Sequence, residues 1–244
     1  MSIASKPRIS ARTSPAPIPA SKANSSLASQ VYDQLRAEIL SWELEPGREL
    51  SEAELAERFQ VSKTPVREAL AMLRLDGFVR TFPRRGYQVL PITFGDMKEL
   101  FELRVVLECG AAELACERIS DADLRQLDRL AKVSYDRSQR PSFKGFVDAN
   151  RDFHLAIVKA SQNQRLYDQV VKAIDGLERF FYLGARLRDV NSETQEDHEE
   201  ILTALRARDG VMVREVVARH IEETRKGLIV QIASSTKEFE RLVL

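Results

Sequence analysis

Leu55-Ala56-Glu57-Arg58-Phe59-Gln60-Val61-Ser62-Lys63-Thr64-Pro65-Val66-Arg67-Glu68-Ala69-Leu70 reads as two short amphipathic helices separated by a tight turn. The first helix buries Leu55, Ala56 and Phe59. The second starts at Ser62 or Thr64, tolerates Pro65 in its first turn, and buries Val66, Ala69, Leu70 and Leu73 before a stop at Gly77. Upstream, Ser51 and Glu54 have the spacing of a capping box that would open the first helix. Further upstream, Leu27, Val31, Leu35 and Ile39 recur at helical spacing until Pro46-Gly47 breaks the run. Downstream, two β-prone stretches, Phe78–Phe82 and Tyr87–Leu90, flank Pro83-Arg84-Arg85-Gly86 and predict a hairpin with a basic tip.

Two short helices braced by a third can project the second into the major groove of DNA. Its N-terminal end must then carry small polar or basic side chains, and Ser62, Lys63, Thr64 and Arg67 are of that kind. Hydroxyls and free backbone N–H groups suit phosphates, whereas Lys63 and Arg67 suit guanine edges or phosphates. Arg85 and Gly86 at the hairpin tip would lie along the adjacent minor groove. The plainer alternative is a helical module with a solvated basic face. Charge favours the polyanion: residues 60–90 hold six basic side chains against two acids, whereas residues 91–244 hold 24 basic against 27 acidic.

Residues 1–26 contain Lys6, Arg8, Arg12 and Lys22, no acids, and four prolines, the composition of a disordered arm. They lack the apolar core of a secretory signal, and no run in the chain approaches a bilayer span. From Thr93 onward no strand pattern is found, and six helices are expected at roughly 94–118, 121–139, 142–161, 164–187, 193–208 and 210–233. The fold class is therefore mainly α: a winged helix–turn–helix over 27–90, then an all-helical antiparallel bundle over 91–244. Cys109 and Cys116 lie on one helix about 10 Å apart, too far to bridge. Unbridged thiols suit a reducing, cytoplasmic setting.

The chain's three histidines, His154, His198 and His220, fall on separate helices of the bundle. Asn150 shares a face with His154 at i, i+4, while His198 and His220 fall at one level of an antiparallel pair. Spacing alone is equally compatible with a core metal site and with scattered structural histidines. Arg104 sits on the apolar stripe of Met97, Leu100, Phe101, Leu107 and Ala111, where a charge needs a partner. That partner is either a bound anion or Glu108 at i, i+4.

The stretch from Leu55 to Leu70, with Leu73, Asp76-Gly77-Phe78-Val79 and Arg84-Arg85-Gly86, closely resembles the GntR family of bacterial regulators. The resemblance implies that Ser62, Lys63, Thr64, Arg67, Arg85 and Gly86 contact DNA. Family members commonly carry Arg where this chain has Lys63, and a basic residue where it has Ala53. Leu103-Arg104-Val105-Val106-Leu107-Glu108, Asn150 to His154, and His198-Glu199-Glu200-Ile201-Leu202 with His220 resemble the FCD effector domain, in its six-helix, VanR-like subgroup. That resemblance implies a divalent ion such as Zn²⁺ or Ni²⁺ held by Asn150, His154, His198 and His220. It also implies a small carboxylate effector, held at its far end by Arg104.

The expected function is a DNA-binding regulator, a repressor in which an effector changes how a homodimer holds a palindromic operator. An architectural DNA binder with a vestigial sensor shares every feature except the response. A three-His metal hydrolase would need a general base at the metal, and Asp152 and Asp197 each point about 100° away from the neighbouring histidine.

Overall fold

A computed structural model of the chain describes residues 26–83, 85–136, 140–187 and 189–234. The predicted arm, but for Ser26, and Arg84 of the hairpin tip lie outside the described residues. Two compact units are present. One holds residues up to Ala37 together with Arg48–Val89, and the other holds Glu38–Gly47 together with Leu90 onward.

The first unit is built from α1 (Leu27–Leu40), whose last turn belongs to the second unit, β1 (Glu49–Leu50), α2 (Glu52–Phe59), α3 (Lys63–Leu75), β2 (Val79–Phe82) and β3 (Gly86–Val89). Val31, Leu35, Leu55, Phe59, Val66, Ala69, Leu70 and Leu73 are buried, as the helical periodicity requires. Gln60 takes a left-handed conformation (φ 55°) after α2 and turns the chain into α3. Gly77, at φ 75°, ends α3 as its sequence position predicts. The capping box expected at Ser51 is absent: Ser51 is the N-cap, but its side chain makes no cap hydrogen bond. Its expected partner Glu54 is exposed, and Glu52, two residues before it, turns its carboxylate to Arg67 on α3. The three strands form an antiparallel sheet in the order β1-β3-β2, with Thr81 opposite Tyr87 and Leu50 opposite Tyr87 on the other side. β1 is too short to give a period-two signal and escapes the sequence reading. Gly86 (φ 100°) starts β3, where a Cβ would lie 2.5 Å from the Leu50 carbonyl oxygen.

The second unit holds α4 (Phe94–Arg118), α5 (Asp121–Ala131), α6 (Arg140–Ala160), α7 (Gln164–Leu187), α8 (Asn191–Ala207) and α9 (Gly210–Ser234). Thr93 with Asp96 and Ser120 with Asp123 form complete capping boxes that open α4 and α5. α4 is the central element and packs on α6, α7 and α9, burying Met97, Phe101, Ala112 and Ala115 in the core. The helix expected at 121–139 is shorter than that, because Tyr135 is claimed by a distant partner. Its N–H donates to Asn191 Oδ1 at 3.0 Å, and its carbonyl accepts from Asn191 Nδ2 at 3.0 Å. With both backbone groups satisfied outside a helix, nothing extends α5 past Ala131. Trp42 packs into the same core as Ile92, Phe101 and Leu177.

Candidate metal centre and DNA-reading face

His154 on α6, His198 on α8 and His220 on α9 converge in the core of the helical unit, with one ligand atom from each lying within 4.8 Å of the others. All three are buried. Phe153 fixes the first two: it lies flat on the His198 ring, with centroids 3.8 Å apart, and edge-on to His154. His198 lies on α8 and meets His220 across the α8–α9 hairpin with ring centroids 5.3 Å apart.

Hydrogen bonding sets the tautomers. Nδ1 of His154 lies 2.7 Å from Glu108 Oε2, and Nδ1 of His220 lies 2.8 Å from Asp197 Oδ2. Each Nδ1 therefore carries the proton and donates it to a carboxylate, leaving both Nε2 lone pairs free. Those two Nε2 atoms face each other at 3.3 Å. His198 Nε2 is buried and has no hydrogen-bond partner among the described residues. Burial pushes the His154 imidazole down to about 4, against the pull of Glu108, and burial pushes His198 well below its ordinary value. Burial raises the Glu108 carboxyl, but Arg104 and His154 outweigh it and bring the group to about 2. Burial thus keeps His154 and His198 as neutral imidazoles, and with His220 they bring ring nitrogens to one point, an arrangement that a bound cation would satisfy.

The donors fit a divalent ion of the Zn²⁺ type. Nitrogen ligands at about 2.0–2.1 Å around a tetrahedral ion stand roughly 3.3–3.4 Å from one another, close to the His154–His220 separation. Asn150, one turn before His154 on α6, lines the cavity beside the cluster. Asp148 is turned away and pairs with Lys144.

Arg104 is buried, and its Nε donates to Glu108 Oε1 at 2.5 Å. Arg104 pairs with Glu108, the i, i+4 partner expected from the sequence, and it lines the cavity shared by Asn150, His154 and His220. Its guanidinium is held between the rings of Phe101 and Phe181, 5.6 Å from each centroid. Its two terminal nitrogens make no hydrogen bond among the described residues. The cavity measures about 300 Å³. Sequence reasoning missed Glu108 and Asp197 as the groups that orient the histidines. Asp197 does point away from its neighbour His198, but the rotation aims it at His220 on the next helix.

In the first unit, Ser62, Lys63, Thr64 and Arg67 are exposed along the start of α3, and Arg85 is exposed at the hairpin tip. Arg67 is gripped by Glu52 from α2, Nε to Oε1 at 3.1 Å and Nη2 to Oε2 at 2.8 Å. Arg85 pairs with Glu49 of β1 at 3.0 Å. Gly86 is required by the β1–β3 pairing itself, a reason independent of any DNA contact.

Residues 27–89 match the model of the bacterial regulatory proteins of the gntR family, and residues 99–223, half of the chain, match the FCD domain. The chain belongs to the GntR family. In this GntR–FCD protein the first unit is the DNA-binding head and the second the FCD body. The Nta operon transcriptional regulator of Aminobacter aminovorans is 32% identical over 186 residues, covering 75% of this chain and 86% of that protein. The HTH-type transcriptional repressor RspR of Escherichia coli strain K12 is 27% identical over 194 residues, 80% and 85% of the two chains. The solved structure of E. coli McbR/YncC superposes with a TM-score of 0.66 at 26% identity, covering 85% of this chain and 99% of that one. The relatives are transcriptional regulators, not enzymes, and this GntR–FCD chain is a DNA-binding transcriptional regulator. No helix among the described residues is long and apolar enough to cross a membrane.

Proposed function

We propose that this GntR regulator is a cytoplasmic homodimeric repressor whose FCD body takes a divalent metal ion and a small carboxylate effector. Ser62, Lys63, Thr64 and Arg67 read and grip a palindromic operator, with Arg85 and Gly86 of the wing on the flanking groove. Asn150, His154, His198 and His220 hold the ion, Zn²⁺ or Ni²⁺, which supplies a Lewis-acidic position for a carboxylate oxygen. The observation that carries the effector reading is the guanidinium of Arg104. Glu108 takes only its Nε, so the terminal fork remains for a bidentate bond to an acid in the cavity next to the histidines. Glu108 touches both Arg104 and His154, so one carboxylate couples the effector's contact to the metal's ligand.

The test measures affinity of the metal-loaded full chain for an operator selected from a random-sequence DNA pool, with and without a panel of small carboxylates. One acid should weaken operator binding by tenfold or more, and Arg104→Ala should remove that response while leaving operator affinity alone. If an acid binds the protein yet leaves DNA affinity unchanged, the body does not regulate the head and the chain is an architectural binder.

A further inference from the structure

The chain passes between the two units on either side of Glu38–Gly47 and again before Leu90, and the body holds it near each passage. In the middle of the first segment, Trp42 is buried in the body core with Ile92, Phe101 and Leu177. At the other, Arg179 on α7 donates from Nη1 to the Leu90 carbonyl at 2.7 Å.

Trp42 is held there against its local preferences. Its backbone is left-handed, at φ 62°, a conformation that a residue with a Cβ adopts only under constraint. Its indole N–H is buried and meets no acceptor among the described residues. Burial of the large apolar ring offsets both costs. The residue is thus fixed by its far end, and strain of this kind collects at functional positions. The neighbours of this anchor are those of the effector arginine. Phe101 shares the core with Trp42 and takes one face of the Arg104 guanidinium. Phe181 takes the other, and it lies edge-on to Phe101 with centroids 6.1 Å apart and two residues from Arg179 on α7.

We propose that Trp42 and Arg179 are positioning residues for operator binding: they pin the chain at the joints of the head, and through Phe101 and Phe181 they respond to what occupies Arg104. Neither belongs to the DNA-reading set. What they supply is a head restrained before DNA arrives, so that binding the operator does not have to order it. An acid that draws the guanidinium toward the cavity takes support from both rings and loosens the pins. The link to Arg104 rests on the effector reading given above; the positioning role does not.

Affinity for the selected operator and for random DNA is measured on the full chain and on Trp42→Gly, Trp42→Phe and Arg179→Ala. Glycine accepts the left-handed turn and removes only the indole. Trp42→Gly should bind operator tenfold or more weakly, with random-DNA affinity within twofold of the parent, because charge contacts need no fixed head. Trp42→Phe, which keeps a ring in the core, should recover most of that loss, and Arg179→Ala should lose threefold or more. An anchor that only stabilises the body would lower the melt and leave the folded protein's operator affinity alone. Parental operator affinity in folded Trp42→Gly overturns the proposal; should that variant not fold, parental affinity in Arg179→Ala does the same. Trp42 is the only tryptophan of the chain, so its emission reports the anchor directly. Succinate, citrate, lactate and benzoate are titrated into the parent. One that weakens operator binding should red-shift the emission and raise acrylamide quenching at least twofold; weakening with both unchanged overturns the link to Arg104. If no acid weakens operator binding while Trp42→Gly does, the effector function proposed above fails and the positioning role stands.

Discussion

His154 and His220 present their Nε2 atoms to each other at 3.3 Å, while Glu108 and Asp197 hold the opposite nitrogen of each ring. Two lone pairs so aimed repel unless a cation lies between them. Zinc added to chelator-stripped protein at a hundredfold its Kd should stabilise the fold by roughly 2.7 kcal/mol, a rise of several degrees in the melt. His220→Ala should abolish the rise. A rise of the same size in that variant would place the ion elsewhere.

Glu108 serves two buried groups, Arg104 through Oε1 and His154 through Oε2. Glu108→Ala leaves a buried guanidinium without its counter-charge, and about 3–5 kcal/mol of stability should be lost. Glu108→Gln preserves the shape but offers an amide where one donor needs an acceptor. The surviving protein should bind zinc about 10- to 100-fold more weakly, because the His154 ring loses the carboxylate that orients it. Chemical denaturation and competitive metal titration read the two effects separately, and unchanged zinc affinity would refute the orienting role.

Arg67 is exposed and already held by a bidentate bond to Glu52 in the absence of DNA. Arg67→Ala should lower affinity for the selected operator about tenfold or more, relative to non-specific DNA, with metal binding untouched. Glu52→Gln frees the fork without removing it. Discrimination between operator and random DNA should narrow, while non-specific affinity rises with the loss of one negative charge. A ratio of specific to non-specific affinity that stays at the parent value in both variants would remove Arg67 from the reading face.

The Ser120–Asp123 capping box gives a pH signature. The Ser120 hydroxyl, and then its backbone N–H, hold the Asp123 carboxyl below its ordinary value of 3.8. A carboxyl depressed in the folded state contributes stability above its unfolded pKa and loses it as pH falls through the folded one. Ser120→Ala should therefore cost about 1 kcal/mol at pH 7, and progressively less as pH falls below the ordinary value of 3.8 and through the lower value that the capping box gives Asp123. Urea denaturation of both proteins at pH 7 and pH 3 checks this; a cost that does not shrink at pH 3 would contradict it.

What the sequence made legible follows from how local each signal is. α4, α7 and α9 end within a residue of their expected bounds, because Ser120, Asn163 and Asp209-Gly210 act through short-range backbone preferences. α5 was overestimated because Asn191, far along the chain, decides where it stops. Similarly, Ser51 and Glu54 have the spacing of a capping box without forming one, whereas the two boxes that do form carry Asp at the third position. The three histidines were visible as rare residues on separate helices, and their convergence followed from the hairpin. Glu108 and Asp197 were not, since a carboxylate near a histidine in sequence says nothing about which histidine it meets in space.

Residues Glu38–Gly47 cluster with the FCD body although they precede the whole recognition motif, and Trp42 lies in the body's core. Cutting the gene at residue 90 would therefore not yield two independent modules. The downstream fragment would lose an indole from its interior, and the upstream one would carry Trp42 away from the residues that bury it. A chimaera that grafts this head onto another body must respect junctions near 37/38, 47/48 and 89/90 together. Exchange of heads between such regulators is then a matter of three joints, and recombination at a single point would more often yield an unstable hybrid than a regulator with new specificity.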